Sequence, residues 1–386
     1  MGRSNWTGCV LSAFVLCSRA RAAHTAPTCQ PADAVVIMCH GRSGSTLAER
    51  MWDSDIEAIS YYEPLRPWDL AGCFDHAQRN RSLVLATVAT LNCRFDARVP
   101  MRCPWHARFD SVPLSSVEPW RVGALGATRP AKTRMRAFAQ WATQLANTTA
   151  SASACLSRLA SCRGTVAAKV VRLNGMLDML LAEGYRALAP GERRLVVLHV
   201  IRDPRALLHS RFRVGWGTPK TRKWVDVAKW AGKMCSTTLR DMRAGEAVRG
   251  GVGGGGGGRR GERNALYVRI KYEELAQHPL EEVRRVYSLI GRPVPPSVEG
   301  YFTALTLQMR GQTSASMERA LALGAVKGIG NARRGLWEDV YATTTTKSVA
   351  ALVRGWRSAL SREAIDAVQS RPKCRVLMAE LGYKLA

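Results

Sequence analysis

The residues best suited to chemistry lie in one short loop that is rich in Gly, Ser and Arg. This first loop follows the apolar run 35–39 and consists of Arg42, Ser43, Gly44, Ser45 and Thr46. Small residues let backbone N–H groups converge on an anion, while the guanidinium adds a full charge and the hydroxyls add donors. The spacing therefore predicts a phosphate-sized anion cradle between a buried strand and a helix.

The first loop departs from the phosphate loop of nucleotide triphosphatases. It lacks the Lys that follows the last glycine of that motif, and Gly41 stands too close to Gly44 for the eight-residue spacing. The chemistry of Mg-ATP is therefore not predicted. Taken alone, such a loop is more often an ordinary strand-to-helix turn with a capping Ser.

A second charged turn ends another apolar run. This second loop, residues 202–205, follows the apolar residues 195–201 and opens a predicted helix with Pro204 near its start. In open parallel α/β sheets, ligands bind at the carboxyl ends of the strands. Arg202 at such a strand end predicts a second grip on the same ligand, which would then carry two anionic groups. Asp203 is expected to cap the helix, and Arg205 is expected to be solvated.

Together the two loops resemble the sulfotransferases that use 3′-phosphoadenosine 5′-phosphosulfate. They resemble in particular the Golgi carbohydrate sulfotransferases that act on O6 of galactose, N-acetylgalactosamine or N-acetylglucosamine. Further similar pieces are residues 62–65, 268–275 and 381–383. The resemblance implies an α/β fold with a P-loop-like parallel sheet flanked by helices, in a single sulfotransferase domain. It also implies a glycan acceptor and no metal.

The resemblance implies a role for each matched residue. The first loop, from Arg42 to Thr46, would hold the 5′-phosphosulfate. In the second loop, Arg202 would hold the 3′-phosphate together with Ser210, which lies further along the predicted helix. Arg42 would also stabilise charge on the leaving group, because its planar fork suits phosphosulfate oxygens.

The attacking hydroxyl needs a base, and Glu63 is the first candidate. It lies among aromatic residues, including Tyr61 and Trp68, whose faces could hold a sugar. The alternative is that Glu63 only braces a loop or pairs with an Arg. His40 is the next candidate, although a structural role beside the first loop is the simpler explanation of this residue.

Composition favours a basic globular enzyme over other classes. The chain has 386 residues, 46% of them hydrophobic, and a formal net charge of +27. Such a charge suits an acidic ligand or a polyanionic acceptor. The main rival function is a basic polyanion- or nucleic-acid-binding protein that keeps the fold without catalysis. It predicts a basic stripe interleaved with aromatic residues, whereas the arginines here are scattered.

The ends and insertions of the chain give further predictions. Residues 1–23 contain a short apolar run flanked by Arg, which predicts a signal peptide or a short signal anchor; an organellar transit peptide is the alternative. Entry into the secretory pathway, and residence in the Golgi lumen with possible membrane anchoring, would follow. The sulfotransferase domain is expected over 33–386, with a disordered Gly-rich insertion at 247–263.

The 11 cysteines fit an oxidising compartment. Cys39 is expected to be a buried thiol in the first strand. Cys155 and Cys162 could form a local pair. Eight cysteines outside the leader and the first strand form an even set that is compatible with disulfides, and the sequence leaves their connectivity open. The set is Cys29, Cys73, Cys93, Cys103, Cys155, Cys162, Cys235 and Cys374.

Overall fold

Five parallel strands form the centre of the molecule. The computed structural model describes residues 33–55, 57–65, 77–93, 165–184, 188, 193–213, 224–250, 265–309 and 353–386. The strands are β1 (Ala34–Cys39), β2 (Ile59–Tyr62), β3 (Val166–Val170), β4 (Leu195–Ile201) and β5 (Ala265–Lys271). Strands β1, β3 and β4 are buried along their whole length, as expected for a parallel sheet covered on both faces.

The strand order is β2-β3-β1-β4-β5, and every pair is parallel. The chain leaves β1 towards one edge of the sheet and leaves β4 towards the other. This reversal between neighbouring strands opens a crevice at their carboxyl ends, where ligands bind in open α/β sheets. The first loop follows β1 and the second follows β4, so both loops meet at this crevice.

Helices cover both faces of the sheet. The described helices before β5 are α1 (Ser45–Asp53), α2 (Arg79–Leu91), α3 (Leu177–Met179, continued by a π-helical turn, Leu180–Gly184), α4 (Pro204–Arg213) and α5 (Trp224–Gly250). Those after β5 are α6 (Tyr272–Gln277), α7 (Pro279–Ile290), α8 (Pro296–Met309), α9 (Trp356–Ala359), α10 (Arg362–Gln369) and α11 (Pro372–Glu380). None of the helices in these ranges combines the length and the apolar character that crossing a bilayer requires.

The side chains of β1 point alternately to the two faces of the sheet and pack into two separate parts of the core. Val36 and Met38 face the side covered by α2, whereas Val35 and Ile37 face the side covered by α1, α7 and α8. Successive side chains of a strand point to opposite faces, so β1 contributes to both cores. The predicted α/β fold with a parallel sheet flanked by helices is confirmed.

A third apolar cluster joins α4 and α5 to the C-terminal helices α10 and α11. The disulfide Cys235–Cys374 lies within this cluster and links α5 to α11 across 139 residues of sequence. Cys93 is also disulfide-bonded, and Cys39 is a buried free thiol, as predicted. Cys155 and Cys162 lie outside the described residues.

One predicted boundary differs from the structure. Helix α5 extends to Gly250, so the first four residues of the expected Gly-rich insertion at 247–263 are helical. Apolar and charged residues before Gly250 continue the pattern of α5, and this continuity outweighs the low helix propensity of the glycine. Residues 251–263 and the leader 1–23 lie outside the described residues.

Candidate functional site

Backbone conformation shapes the first loop. Arg42 and Gly44 both have left-handed φ values, 82° and 87°. Ser43 closes the turn, because its N–H and its Oγ both donate to the carbonyl of His40, at 3.1 and 2.6 Å. Gly44 then forms the N-cap of α1 without a side-chain capping bond, and no acidic residue lies in the first turn. The loop therefore presents backbone donors and the positive end of a helix to the crevice.

Glycine is required at position 44 for two reasons. Its positive φ disfavours any residue with a Cβ. In addition, a Cβ built on Gly44 would lie 2.0 Å from Cδ2 of Tyr272, the first residue of α6. The Tyr272 ring thus packs directly against the backbone of the first loop.

Side chains shape the second loop. Asp203 caps α4, as predicted, since its Oδ1 accepts the N–H of Arg205 at 2.8 Å. The expectation that Arg205 is solvated is wrong, because only 1% of this residue is exposed. Its guanidinium binds both carboxylate oxygens of Asp203, donates to Oε1 of Gln369 at 2.8 Å, and lies 4.2 Å over the ring of Trp356. Gln369 and Trp356 are more than 150 positions away, so nothing near Arg205 in sequence indicated its burial.

The two loops are joined by hydrogen bonds. Arg202 donates to the carbonyl oxygen of Arg42 at 3.0 Å, and Nε of Arg42 donates to Oγ of Ser210 at 3.3 Å. The guanidinium of Arg202 lies 4.3 Å over the ring of Tyr272, which also contacts Gly44. The structure thus brings together the predicted site residues Arg42, Gly44, Arg202 and Ser210. The two arginines lie beyond the carboxyl ends of β1 and β4.

Lys169 belongs to the same site and was missed by the sequence analysis. It is the fourth of the five residues of β3, only 2% of it is exposed, and its Nζ donates to Oγ1 of Thr46 at 3.0 Å. The same Nζ lies 3.9 Å from the carboxylate of Glu49. A single Lys inside the apolar strand VAAKV was the feature that could have revealed it, because a buried ammonium requires polar partners.

Glu63 lies beside Lys169 at the end of β2. Its carboxylate is 3.6 Å from Nζ of Lys169 and 3.6 Å from a guanidinium nitrogen of Arg172. Its backbone N–H donates to the carbonyl of Lys169 at 3.0 Å, and its φ is 44°. These contacts fit the bracing interpretation directly, and they also hold the carboxylate next to the cation that contacts the first loop.

Tyr61 does not form a sugar-binding face beside Glu63. Its side chain is buried in the core on the α2 side of the sheet, so this expectation is wrong. Tyr61 lies inside β2 and packs into that core, whereas Glu63 follows the strand, where its φ of 44° ends the extended conformation. Trp68 lies outside the described residues.

His40, the second candidate base, is bound to α5. Its Nε2 lies 3.2 Å from Oγ1 of Thr237. Burial, together with the nearby charge of Arg211, lowers the pKa of His40 to about 4. The imidazole is therefore neutral at pH 7, and its low basicity makes it a weaker general base than an ordinary histidine.

Comparison with known proteins links the chain to one group of enzymes. No family model matches the sequence. Carbohydrate sulfotransferase 1 of Mus musculus is 25% identical over 253 residues, which cover 63% of this chain and 49% of that protein. Carbohydrate sulfotransferase 1 of Danio rerio is 27% identical over 240 residues, covering 58% and 46%. Carbohydrate sulfotransferase 3 of Mus musculus is 26% identical over 194 residues, covering 50% and 34%.

Two solved structures resemble the chain over most of its length. The sulfotransferase domain of the olefin synthase of Synechococcus PCC 7002 is 14% identical, with a TM-score of 0.42, and the match covers 92% of this chain and 97% of that one. The sulfotransferase domain of the curacin biosynthetic pathway is 12% identical, with a TM-score of 0.40 and coverage of 92% and 100%.

The matched region spans about half the length of the curated relatives. The regions that match the two carbohydrate sulfotransferase 1 proteins cover 63% and 58% of this chain. The resemblance that the two loops indicated is confirmed by these matches, which cover between 50% and 63% of the chain. The chain is therefore similar in sequence to carbohydrate sulfotransferases.

Proposed function

We propose that the chain transfers a sulfuryl group from 3′-phosphoadenosine 5′-phosphosulfate to O6 of a sugar in a glycan. The observation that supports this proposal most strongly is the junction of the two loops, in which Arg202 donates to the carbonyl of Arg42. Two anion grips held in one fixed arrangement suit a ligand with two separate anionic groups. The names of the relatives support sulfuryl transfer to a carbohydrate.

The residues at the crevice fit this co-substrate. The first loop offers backbone donors at the start of α1, and Arg42 and Lys169 add positive charge beside it. The second loop adds Arg202, with Ser210 close by. The co-substrate would supply the activated sulfuryl group and the phosphate that leaves. The carboxylates of Glu49 and Glu63 both lie near Lys169, and that of Glu63 also lies near Arg172.

Arg42 and Lys169 would stabilise negative charge at the first loop. Preorganised cations in a partly dry site stabilise a developing negative charge far more than cations in water do, because they need no reorganisation as the charge develops. Lys169 is nearly fully buried and already bonded to Thr46, so its position is fixed before any ligand enters. Arg42 is held by Ser210, and its forked guanidinium can bind two oxygens at once.

Glu63 is the proposed base for the sugar hydroxyl. It lies at the carboxyl end of β2, beside Lys169 and half-buried. An ionised carboxylate beside the anion site could accept the proton of the attacking hydroxyl. The pairing with Lys169 and Arg172 supports the alternative role, in which Glu63 orients Lys169 and another group accepts the proton.

The proposed activity is tested in two steps. Calorimetric titration with 3′-phosphoadenosine 5′-phosphate should show saturable binding. Transfer of labelled sulfate should then be measured on glycans ending in galactose, N-acetylglucosamine or N-acetylgalactosamine, with the position of the sulfate mapped by fragmentation. Binding without transfer to any glycan would favour the rival function, a polyanion-binding protein that keeps the fold. Absence of both would overturn the proposal.

Location in the Golgi lumen and a glycan partner are part of the proposal. The disulfide Cys235–Cys374 supports an oxidising compartment, because such bonds are rare in the cytosol of mesophiles. Cleavage or anchoring of the leader would be tested by sequencing the N-terminus of the secreted and membrane fractions.

A further inference from the structure

The start of α6 connects the two loops. The ring of Tyr272 packs against Gly44 of the first loop and lies under the guanidinium of Arg202 from the second. Tyr272 also belongs to a small apolar cluster with Val353, from the C-terminal segment. The side chain of Tyr272 therefore contacts the first loop, the second loop and the C-terminal part of the chain.

The next residue, Glu273, holds the second loop itself. Its Oε1 accepts the backbone N–H of Asp203 at 3.1 Å, directly after Arg202. Its Oε2 accepts the hydroxyl of Tyr383 at 2.6 Å. Glu273 is buried, and so it depends on these two donors to compensate for the water that it has lost. Tyr383 follows α11, close to the end of the chain.

A second set of contacts anchors the same C-terminal segment to the same loop. Arg205 donates to Gln369 of α10, whose Oε1 also accepts the backbone N–H of Ala386. The disulfide between Cys374 and Cys235 fixes α11 to α5 nearby. The C-terminal segment thus reaches the second loop at two points, one through Arg205 and one through Glu273.

We propose that Tyr383 and Glu273 are positioning residues for Arg202, so that the C-terminal tail sets the affinity for the anionic group held by the second loop. Neither residue bonds to the anion in this proposal. Their effect passes through the backbone of Asp203, whose fixed N–H orients the preceding residue. The inference rests on the proposed function for the identity of the ligand, although the hydrogen bonds that carry it do not.

The physical basis is the fraction of time that the loop is ready to bind. Apparent affinity falls in proportion to the population of the competent conformation. Loss of a hydrogen bond to a charged group lowers the ratio of competent to incompetent conformations by about tenfold or more. Loss of the Tyr383 hydroxyl should therefore weaken binding through Arg202 by about tenfold without removing any ligand contact.

The test compares Tyr383→Phe and Glu273→Gln with a matched control, Tyr287→Phe. Tyr287 is a buried tyrosine whose hydroxyl donates to the carbonyl of Met51 in α1 at 2.9 Å, so its hydrogen bond involves neither loop. Calorimetry should show about tenfold weaker binding of 3′-phosphoadenosine 5′-phosphate to the first two variants and little change in the control. Adenosine 5′-phosphate, which lacks the 3′-phosphate, should bind all four proteins with similar affinity.

A second measurement does not need a nucleotide. Hydrogen exchange of the peptide that contains the amide of Asp203 should be faster in Tyr383→Phe than in the wild type, and unchanged in Tyr287→Phe. Equal nucleotide affinity and equal exchange in Tyr383→Phe and the wild type would overturn the inference. Failure of the wild type to bind the nucleotide would instead count against the proposed function, while the exchange result would still decide whether Tyr383 holds the loop. Should Glu273→Gln not fold, Tyr383→Phe carries the test.

Discussion

The first and second loops meet at the carboxyl ends of β1 and β4, but their conformations are fixed in different ways. In the first loop, two residues with positive φ bend the backbone, and α1 starts at a glycine without a capping side chain. In the second loop, α4 starts behind a side-chain cap, because Asp203 accepts the N–H of Arg205. The N-terminal end of α1 is therefore open to a ligand, whereas at the N-terminal end of α4 the N–H of Arg205 already donates to Asp203.

This difference divides the work of binding between backbone and side chains. Backbone donors at the first loop are fixed by its shape and need little further support. The second loop must rely on the side chains of Arg202 and Ser210, which have rotatable bonds and need neighbours to hold them. The contacts from Tyr272, Glu273 and Arg205 around the second loop fit that need. Chemistry is therefore expected to depend on the first loop, and affinity on the second.

The largest expected effect is at Arg42. Arg42→Ala should lower the rate of sulfuryl transfer by about a hundredfold or more, because removal of one preorganised electrostatic contact typically costs that much. The assay is transfer of labelled sulfate at saturating co-substrate. Arg362→Ala provides the control, since Arg362 forms an exposed pair with Asp366 on α10. Near-normal turnover in folded Arg42→Ala would remove the assignment of chemistry to the first loop.

Glu63 gives the next largest effect and separates its two interpretations. If it is the base, Glu63→Gln should reduce turnover on the order of a hundredfold while nucleotide affinity stays unchanged. The acidic limb of the pH–rate profile should also flatten, because that limb reports ionisation of the base. Retention of both the rate and the limb would mean that Glu63 only braces Lys169 and Arg172, and His40 would be tested next.

Local patterns in the sequence were enough to predict the main frame of the fold. Apolar runs followed by small or charged residues located β1 and β4, and Pro204 marked the start of α4. These features depend on neighbouring residues, so they can be recognised without knowing the tertiary structure. The same reasoning predicted the cap at Asp203 and the buried thiol at Cys39.

Contacts between distant residues could not be predicted in the same way. Arg205 is buried because Trp356 and Gln369 pack on it, and the pairing of Cys235 with Cys374 joins helices 139 residues apart. Lys169 becomes part of the site only when β3 is placed beside β1. In each case the partner comes from another element, and its position depends on the whole topology.

Arg202→Ala tests the role given to the second loop. It should weaken binding of 3′-phosphoadenosine 5′-phosphate by about ten- to a hundredfold, the range expected for loss of a hydrogen bond to a charged group. The rate at saturating co-substrate should change less, because the group held by the second loop is remote from sulfur. A variant with normal affinity and a low rate would reverse the proposed division between the two loops.

The smallest expected effect is at Gly291, and its comparison with Gly44, which also has a positive φ, isolates the contribution of loop shape. Gly291 ends α7 with a φ of 74°, and a Cβ there would have nothing within 4 Å. Gly291→Ala should therefore lower the free energy of unfolding by only about 1–2 kcal/mol, the cost of a left-handed alanine.

Gly44→Ala carries the same backbone cost and must also displace the ring of Tyr272. Because that ring supports Arg202, Gly44→Ala should in addition weaken nucleotide binding, measured by calorimetry beside chemical denaturation of both variants. Equal losses of stability with unchanged affinity in the two variants would show that Tyr272 can move without cost, and that the loops bind independently.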